Sequence, residues 1–332
     1  MPSCTNAHVA SMQSIALARE AVASGTLSVA TKYRMQKEWG IMKPIVKLVQ
    51  DKSWYWVIEQ DYDSQVVRET SQTNLNGVIS HVTMWIILKA LYWSEASAAK
   101  SSPNTSVYDH TFTVLETNNH PSLSIWATDP VWSYTTVYNM LNTLKISAKE
   151  WDYVKYDVQF LWKKITSAST PTVWFTTDYQ FLARHCSLYV DTSEAGLDSA
   201  TALWLDWFEI NFAKNITEKW IWLEPDCFLN QWFVCTGKID AVYINNTDWL
   251  ALTQWATEKF MRIKALNTDV TLWTSANPEL SFTFAKVVFT EWDKSDDNAS
   301  IVTQTVWFTA HFNNTVWFSS KAKLTNLQSA VY

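Results

Sequence analysis

Along much of the chain, apolar and polar residues alternate in short runs, which is the pattern of half-buried β-strands. In residues 306–312, for example, Val, Phe, Ala and Phe fall on one face, while Trp, Thr and His fall on the other. Similar runs are bounded by Asn, Asp, Ser and Pro and predict further strands. These include residues 54–59, 110–114, 144–148, 158–162, 205–212, 233–243 and 259–265. Helical patterns are limited to residues 84–91 and 248–256, with a third at 11–23, so we predict a mainly β protein.

An internal repeat is the strongest sign of how the chain is organised. The pattern K-[I/V]-x-x-x-E-W-D occurs twice, and apolar runs before and after it also match. The first copy comprises Lys145, Glu150, Trp151 and Asp152, and the second comprises Lys286, Glu291, Trp292 and Asp293. A repeat this long indicates a duplicated domain. We therefore predict two tandem domains, residues 1–166 and 172–332, each with a short flanking α-helix and joined by a polar linker.

Composition excludes several classes of protein. With 48% apolar and 17% charged residues, the chain can bury a large core without disulfides and is not intrinsically disordered. It has 26 Lys and Arg against 32 Asp and Glu, without a cationic run, which argues against specific nucleic-acid binding. Four scattered cysteines give no disulfide framework or zinc pattern. No apolar run is long enough for a membrane-spanning helix, so we expect a soluble protein that is intracellular when made.

The motif supplies the only patterned carboxylate pairs, Glu150 with Asp152 and Glu291 with Asp293. Together with 21 tryptophans, they raise the hypothesis of a glycoside hydrolase, which needs two carboxylates and an aromatic sugar platform. In a strand, however, residues at i and i+2 share a face and cannot flank a substrate. The histidines lack metal-ligand spacing, and phosphate-binding glycine loops are absent from the sequence. We therefore predict a structural role for the motif, and no catalytic, metal-binding or cofactor-binding residue.

Several segments resemble the major tail tube proteins of phages with long non-contractile tails. The sequence Y-D-H-T-F-T at residues 108–113, followed by H-P-S-L-S-I at 120–125, is similar to that family's H-T-F and P-S-L-T-I strand pair. The segment A-N-P-E-L at 276–280, leading into the second motif, resembles its final hairpin. Further matches are Glu20 with Gly25, the turn at 223–225, and Gly77 before the first helical pattern. The resemblance is scattered over nearly the whole chain.

The resemblance implies a β-sandwich or barrel with a flanking helix, whose subunits form stacked rings around the passing genome. Rings of that family contain six such domains. A chain with two of them would therefore form rings of three chains with pseudo-sixfold symmetry, or rings of six chains with the second domain outside. It also implies a location in the virion tail after assembly in the host cytoplasm. The implied partners are further copies of the chain, the tail terminator, the tail tip or baseplate and the tape measure protein. DNA would pass through without specific binding, and no membrane partner is expected.

A second function remains open at this stage, namely a tryptophan-rich carbohydrate-binding β-sandwich or glycoside hydrolase. A related puzzle is that the chain has 21 Trp but only 5 Gly, whereas average usage is roughly 7% Gly. Trp85, Trp93 and Trp249 stand where the family has glycine near its helix. Either the protein is truly tryptophan-rich, or a codon read as tryptophan is translated as glycine in its organism. The second hypothesis predicts tryptophans at positive φ or unpacked in solvent.

Overall fold

The structure, a computed structural model, describes residues 13–21, 25–35, 37–51, 63–117, 120, 122–173, 178–203, 205–242, 249–294 and 302–329. It is mainly β and consistent with a β-sandwich, because its large hydrophobic core is enclosed by strands from the whole chain. Among the strands of these described residues, seventeen belong to one connected sheet, and two form a separate hairpin. In the described residues, no helix is both long enough and apolar enough to cross a bilayer.

The strands and helices have the following bounds. They are β1 (Ser14–Arg19), β2 (Tyr33–Arg34), β3 (Trp39–Asp51), β4 (Asp63–Val78), α1 (Met84–Tyr92), β5 (Trp93–Ala99), β6 (Tyr108–Val114), β7 (Leu123–Thr128), β8 (Ser133–Lys149), β9 (Lys155–Trp162), β10 (Thr166–Ser167), β11 (Cys186–Asp191), β12 (Trp207–Ala213), β13 (Thr217–Trp220), β14 (Pro225–Leu229), β15 (Val234–Val242), α2 (Trp249–Gln254), β16 (Lys259–Leu266), β17 (Glu279–Lys294), β18 (Thr303–His311) and β19 (Ser320–Asn326).

One series of antiparallel pairings occurs twice in the chain. The first strand group runs β3–β4–β9–β8–β7–β1, and β10 also pairs with β8. The second strand group runs β12–β15–β18–β17–β16–β11, and β19 also pairs with β17. In both groups a short helix follows the second strand, α1 after β4 and α2 after β15. The long strands β8 and β17 hold the same place in each group.

Irregularities in the ladders recur at matching places and fix how the two groups correspond. The β8–β9 ladder shifts register between Leu141 and Thr143, and the β17–β18 ladder shifts between Phe289 and Glu291. A second shift occurs at the start of β7 and again at the start of β16. Since bulges mark specific positions along a strand, Leu141 corresponds to Phe289 and Thr143 to Glu291.

Helix α1 is enclosed by the core, and all nine of its residues are buried. Its sequence, M-W-I-I-L-K-A-L-Y, is apolar on every face except at Lys89, which is typical of a helix that is packed on every side. The helix ends at Trp93, which has a φ of 66° and donates its backbone N–H to the carbonyl oxygen of Lys89. This left-handed end turns the chain directly into β5, and the β5–β6 hairpin then pairs with β19.

The helical pattern at residues 11–23 was a wrong prediction, because the structure forms β1 there. Alanine, leucine and arginine are good helix formers, but pairing with β7 outweighs that local preference. Ala16 and Ala18 pack against the buried Trp126 at this contact. The strand predicted at residues 54–59 lies outside the described residues. Cys186, Cys227 and Cys235 are free thiols.

Candidate assembly interface

The two strand groups meet where β8 pairs with β12. The antiparallel register joins Thr143 to Lys149 with residues 207–213, and the buried pair Ile146 and Ile210 stand opposite each other. At the end of this ladder, the backbone N–H of Lys214 donates to the carbonyl oxygen of Asn142 at 2.9 Å. The two groups therefore share one continuous sheet. We call this β8–β12 pairing, together with the contact that the β13–β14 hairpin makes with the first strand group, the internal junction.

An ion pair crosses this ladder on its more exposed face. Lys145 Nζ lies 2.6 Å from Glu209 Oε2, and the Asn211 side chain donates to Glu209 Oε1 at 2.9 Å. Partial burial alone would raise the pKa of Glu209, but the hydrogen bonds from Lys145 and Asn211 outweigh it and lower the pKa. The Glu209 carboxylate is thus kept charged at neutral pH.

The β13–β14 hairpin forms the second part of the internal junction by lying over the first strand group. Phe228 of the hairpin packs against Tyr138, with ring centroids 5.3 Å apart, and against Met140. Ile216, just before β13, packs against the same cluster. The N–H of Glu69 donates to the carbonyl oxygen of Leu223, in the hairpin turn, at 2.9 Å.

The outer edge of β3 faces no strand in the described part of the chain, since β3 pairs only with β4. The outer halves of β3 and β4 carry an unusual series of exposed apolar side chains. These are Ile45, Val46, Leu48, Val49, Val66 and Val67, each between 40% and 55% exposed. An edge strand with this much apolar surface is a ready site for pairing with another strand. We call this edge, together with the exposed apolar side chains beside it, the open edge of β3.

A second unpaired edge occurs at the end of β17. Its first half pairs with β16 and β19, whereas residues 291–293 pair only with β18, among the described strands. The corresponding part of β8, which begins at Thr143, has β9 on one side and β12 on the other. The last part of β17 therefore lacks the neighbour that β12 provides for β8. We call it the open end of β17.

Beside the second strand group lies a cavity of about 730 Å³. Its lining includes Trp232, Phe233, Thr309, Phe312 and the buried Lys214. Burial keeps the pKa of Lys214 well below its ordinary value, and its Nζ donates to the carbonyl oxygen of Ala90 at 2.8 Å. Both amide atoms of Asn230, another lining residue, are buried without a hydrogen-bond partner. The cavity thus combines apolar walls with unsatisfied polar groups.

The first motif lies at the end of β8 and in the turn that follows. Lys145 is in the internal junction, whereas Glu150 and Trp151 are exposed in the turn, Trp151 with 93% of its surface. The Asp152 carboxylate accepts the N–H of Tyr153 and pairs with Lys155 at 3.2 Å, which lowers its pKa. This placement is that of a solvated turn.

The second motif lies wholly within β17. Lys286 pairs with Glu258 at 2.7 Å, and the indole N–H of Trp292 donates to Gln304 at 3.2 Å. Glu291 and Asp293 are exposed on the open end of the strand. Both motifs begin on corresponding strands, β8 and β17, but the bulges match Lys145 with Asp293 and not with Lys286. The structure does not bring the two motifs together.

Sequence reasoning did not anticipate the buried acidic sites. Glu20 is fully buried, where its carboxylate accepts hydrogen bonds from the Ser122 and Ser124 hydroxyls and from the N–H of Tyr138. Glu95 accepts from the Trp85 indole at 2.9 Å and lies 3.3 Å from Lys89 Nζ. Such sites join residues that are far apart in sequence, and only their final surroundings identify them.

In the described residues, no cluster of three or more His, Cys, Asp or Glu could hold a metal ion. No protein-family model matches the chain, and no curated protein shows significant sequence similarity to it. In the described residues, the open edge of β3 and the open end of β17 are surfaces suited to pairing with a further strand.

Proposed function

We propose that this chain is a structural virion protein that self-assembles into stacked rings and forms a phage tail tube. The observation that carries this proposal is that β3 and the last part of β17 each have an edge without a neighbouring described strand, whereas the corresponding β12 and β8 pair with each other within the chain. Edges of this kind join subunits through main-chain hydrogen bonds. The resemblance of residues 108–125 and 276–293 to tail tube proteins supports the same function.

The repeated pairing pattern supports two tandem tail-tube-like domains with equivalent helices. On this proposal, a ring of three chains contains six similar domains, and a ring of six chains with the second domain outside is the alternative. The formal net charge of −6 suits a conduit that DNA passes without binding, because phosphate binding depends on clustered cations. The tail terminator, the tip or baseplate and the tape measure protein are the further proposed partners.

The test is to purify the protein and measure its mass by light scattering, then image it by negative-stain electron microscopy. Rings or tubes with a central channel are expected, and averaged images give the number of chains per ring. A protein that stays monomeric over a wide concentration range would contradict the proposal.

One observation favours the rival function of carbohydrate binding. Trp232 and Trp317 line the cavity, are 60% and 70% exposed, and lie near the unpartnered amide of Asn230. Exposed aromatic rings beside polar groups are suited to stacking on sugars. A glycan array distinguishes the two functions, because a tail tube protein should bind no glycan whereas a carbohydrate-binding protein should bind one class selectively.

A further inference from the structure

We infer that the open edge of β3 in one chain pairs with the open end of β17 in the next chain, in the register of the internal junction. This inference rests on the proposed function, and it names the strands, the register and the docking surface. It follows from one fact of the topology. Each strand group offers the same two surfaces, but only one of each is used within a chain.

The correspondence between β3 and β12 is set by how each strand begins. Trp39 stands opposite Asn76, and the N–H of Glu38 donates to the Asn76 carbonyl oxygen at 2.9 Å. Trp207 likewise stands opposite Asp240, and the N–H of Asp206 donates to the Asp240 carbonyl oxygen at 3.1 Å. The matching β4–β9 and β15–β18 ladders agree with this alignment. Trp39 thus corresponds to Trp207.

The register between chains then follows from the register within the chain. In the internal junction Lys145 is opposite Asn211, and these residues correspond to Asp293 and Lys43. Lys43 of one chain therefore stands opposite Asp293 of the next, with Glu291 of that chain diagonally beside it. All three side chains are exposed in the single chain. Two acids facing one lysine give the charge complementarity that a cross-strand pair requires.

Pro44 is compatible with this pairing. It corresponds to Phe212, which is opposite Leu144 in the internal junction. Because proline has no N–H, the ladder between chains lacks one donor at this point, as is common at sheet edges. In the internal junction, the N–H of Lys214 donates to the carbonyl oxygen of Asn142. The corresponding bond between chains runs from the N–H of Val46 to the carbonyl oxygen of Thr290. The ladder between chains can therefore form between residues 42–46 of one chain and residues 290–294 of the next.

The hairpin contact of the internal junction also has an unfilled counterpart. The β3–β4 ladder shifts register between Lys47 and Leu48, where the second group has Asn215 at a φ of 48° just before Ile216. Leu48, which is 55% exposed, thus corresponds to Ile216, which packs over the first group. The exposed apolar side chains of β3 and β4 would make the equivalent contact on the next chain.

On the next chain, the exposed apolar side chains of β3 and β4 would contact the cavity beside the second strand group. In the internal junction the hairpin lies beside Glu69, Leu161 and Lys164, the last of which pairs with Glu224 at 3.1 Å. Their counterparts in the second group are Phe233, Thr309 and Phe312, and all three line the cavity. The exposed apolar side chains of β3 and β4 in one chain therefore face a partly apolar cavity of another. A second copy of this chain accounts for both features.

Disulfide cross-linking tests the register directly. Opposed residues in an antiparallel pair have Cα atoms about 4.5–5.5 Å apart, within the disulfide range. The double variant Lys43→Cys with Asp293→Cys, oxidised after assembly, should form covalent chains that close at the number of subunits in the ring. The unsubstituted protein gives the background from native cysteines. The out-of-register pair Lys47→Cys with Asp293→Cys should stay at that background.

Two substitutions test the same interface without cysteine chemistry. Lys43→Glu should raise the concentration for half-assembly by about tenfold, and adding Asp293→Lys should restore most of it. Leu48→Asp should also block ring formation, whereas Val131→Asp, at an exposed apolar residue in a loop outside the interface, should not. Rings that form without the Lys43–Asp293 cross-link would overturn the inference while leaving the proposed function intact. Absence of rings from the unsubstituted protein would overturn both.

Discussion

In the part of the chain that the structure describes, three tryptophans occupy backbone conformations that favour glycine. Trp93, Trp151 and Trp317 have φ values of 66°, 64° and 61°, and Trp151 is almost fully exposed. Side chains with a Cβ are strained there, and an exposed indole gains no packing in return. Trp151→Gly should therefore stabilise the protein by about 1 kcal/mol in urea unfolding. Trp132→Gly is the matched control, because Trp132 is 61% exposed but is not among the residues with positive φ. Equal effects of both substitutions would contradict this argument.

These conformations also bear on whether the tryptophan codon is translated as glycine. Trp222 and Trp255 are 82% and 79% exposed, so unpacked indoles are not confined to the left-handed positions. Protein isolated from its natural source should have an intact mass of 38.3 kDa if every tryptophan is incorporated. A clearly lower mass would instead favour glycine.

Two buried histidines should make the protein less stable in acid. Burial lowers the pKa of His81 to about 4, and burial together with Lys214 lowers the pKa of His120 to about 4. Below about pH 6.5 the unfolded chain therefore binds protons that the folded chain does not bind. The free energy of unfolding then falls between about pH 6.5 and 4. Asp178 acts in the opposite direction, because burial raises its pKa to about 6 and the folded state takes up that proton first. Because two histidines act against one aspartate, the net effect of these groups is a loss of stability as the pH falls.

The measurement is urea unfolding at several pH values between about 7 and 4.5. His81→Gln should flatten the loss of stability by up to about 3 kcal/mol over this range, since one pKa unit is about 1.4 kcal/mol. His311→Gln is the control, because His311 is exposed. An unchanged pH dependence in the His81 variant would show that its imidazole does not stay neutral in the fold.

At the scale of the element, β15 depends on a glycine at the centre of the second strand group. A Cβ on Gly237 would lie 2.4 Å from the Phe308 ring and 2.6 Å from the backbone oxygen of Glu209. Backbone cannot move aside as a flexible side chain can, so Gly237→Ala should cost about 2 kcal/mol or more. At Gly196 the added Cβ would meet only the Asp191 side chain, and Gly196→Ala should cost much less. Thermal unfolding of the two variants compares them, and similar losses would contradict the packing argument.

Elements were predictable from the sequence where a local pattern decides the structure. Helix α1 was predicted from the helical pattern at residues 84–91, and β18 from the alternation of its apolar residues. The open edge of β3 was missed, since I-V-K-L-V at 45–49 does not alternate and Pro44 argues against a strand. The candidate interface could not be predicted from the sequence for a related reason. The bulges that align β8 with β17 leave no signal in a single sequence, whereas the short E-W-D match suggested a different alignment.

At the scale of the whole molecule, the two open surfaces differ, and this determines the kind of assembly. In the register that we propose, a β3 edge pairs with the end of β17 and not with a second β3 edge, so the proposed contact is head to tail. Head-to-tail contacts give closed rings when the rotation between chains closes, and open filaments otherwise. The internal junction already joins two similar strand groups side by side in one chain. Repeating that junction between chains makes every contact in the ring similar.

Such rings should resist salt. The proposed contact contains a ladder of main-chain hydrogen bonds and an apolar hairpin, with Lys43 and Asp293 as an exposed ion pair worth about 0–1 kcal/mol. At about 1 M salt the Debye length is about 3 Å, so this pair is screened while apolar burial is not. Light scattering should therefore give the same mass at about 0.1 M and about 1 M sodium chloride. Dissociation into single chains at high salt alone would mean that charge, and not strand pairing, holds the assembly together.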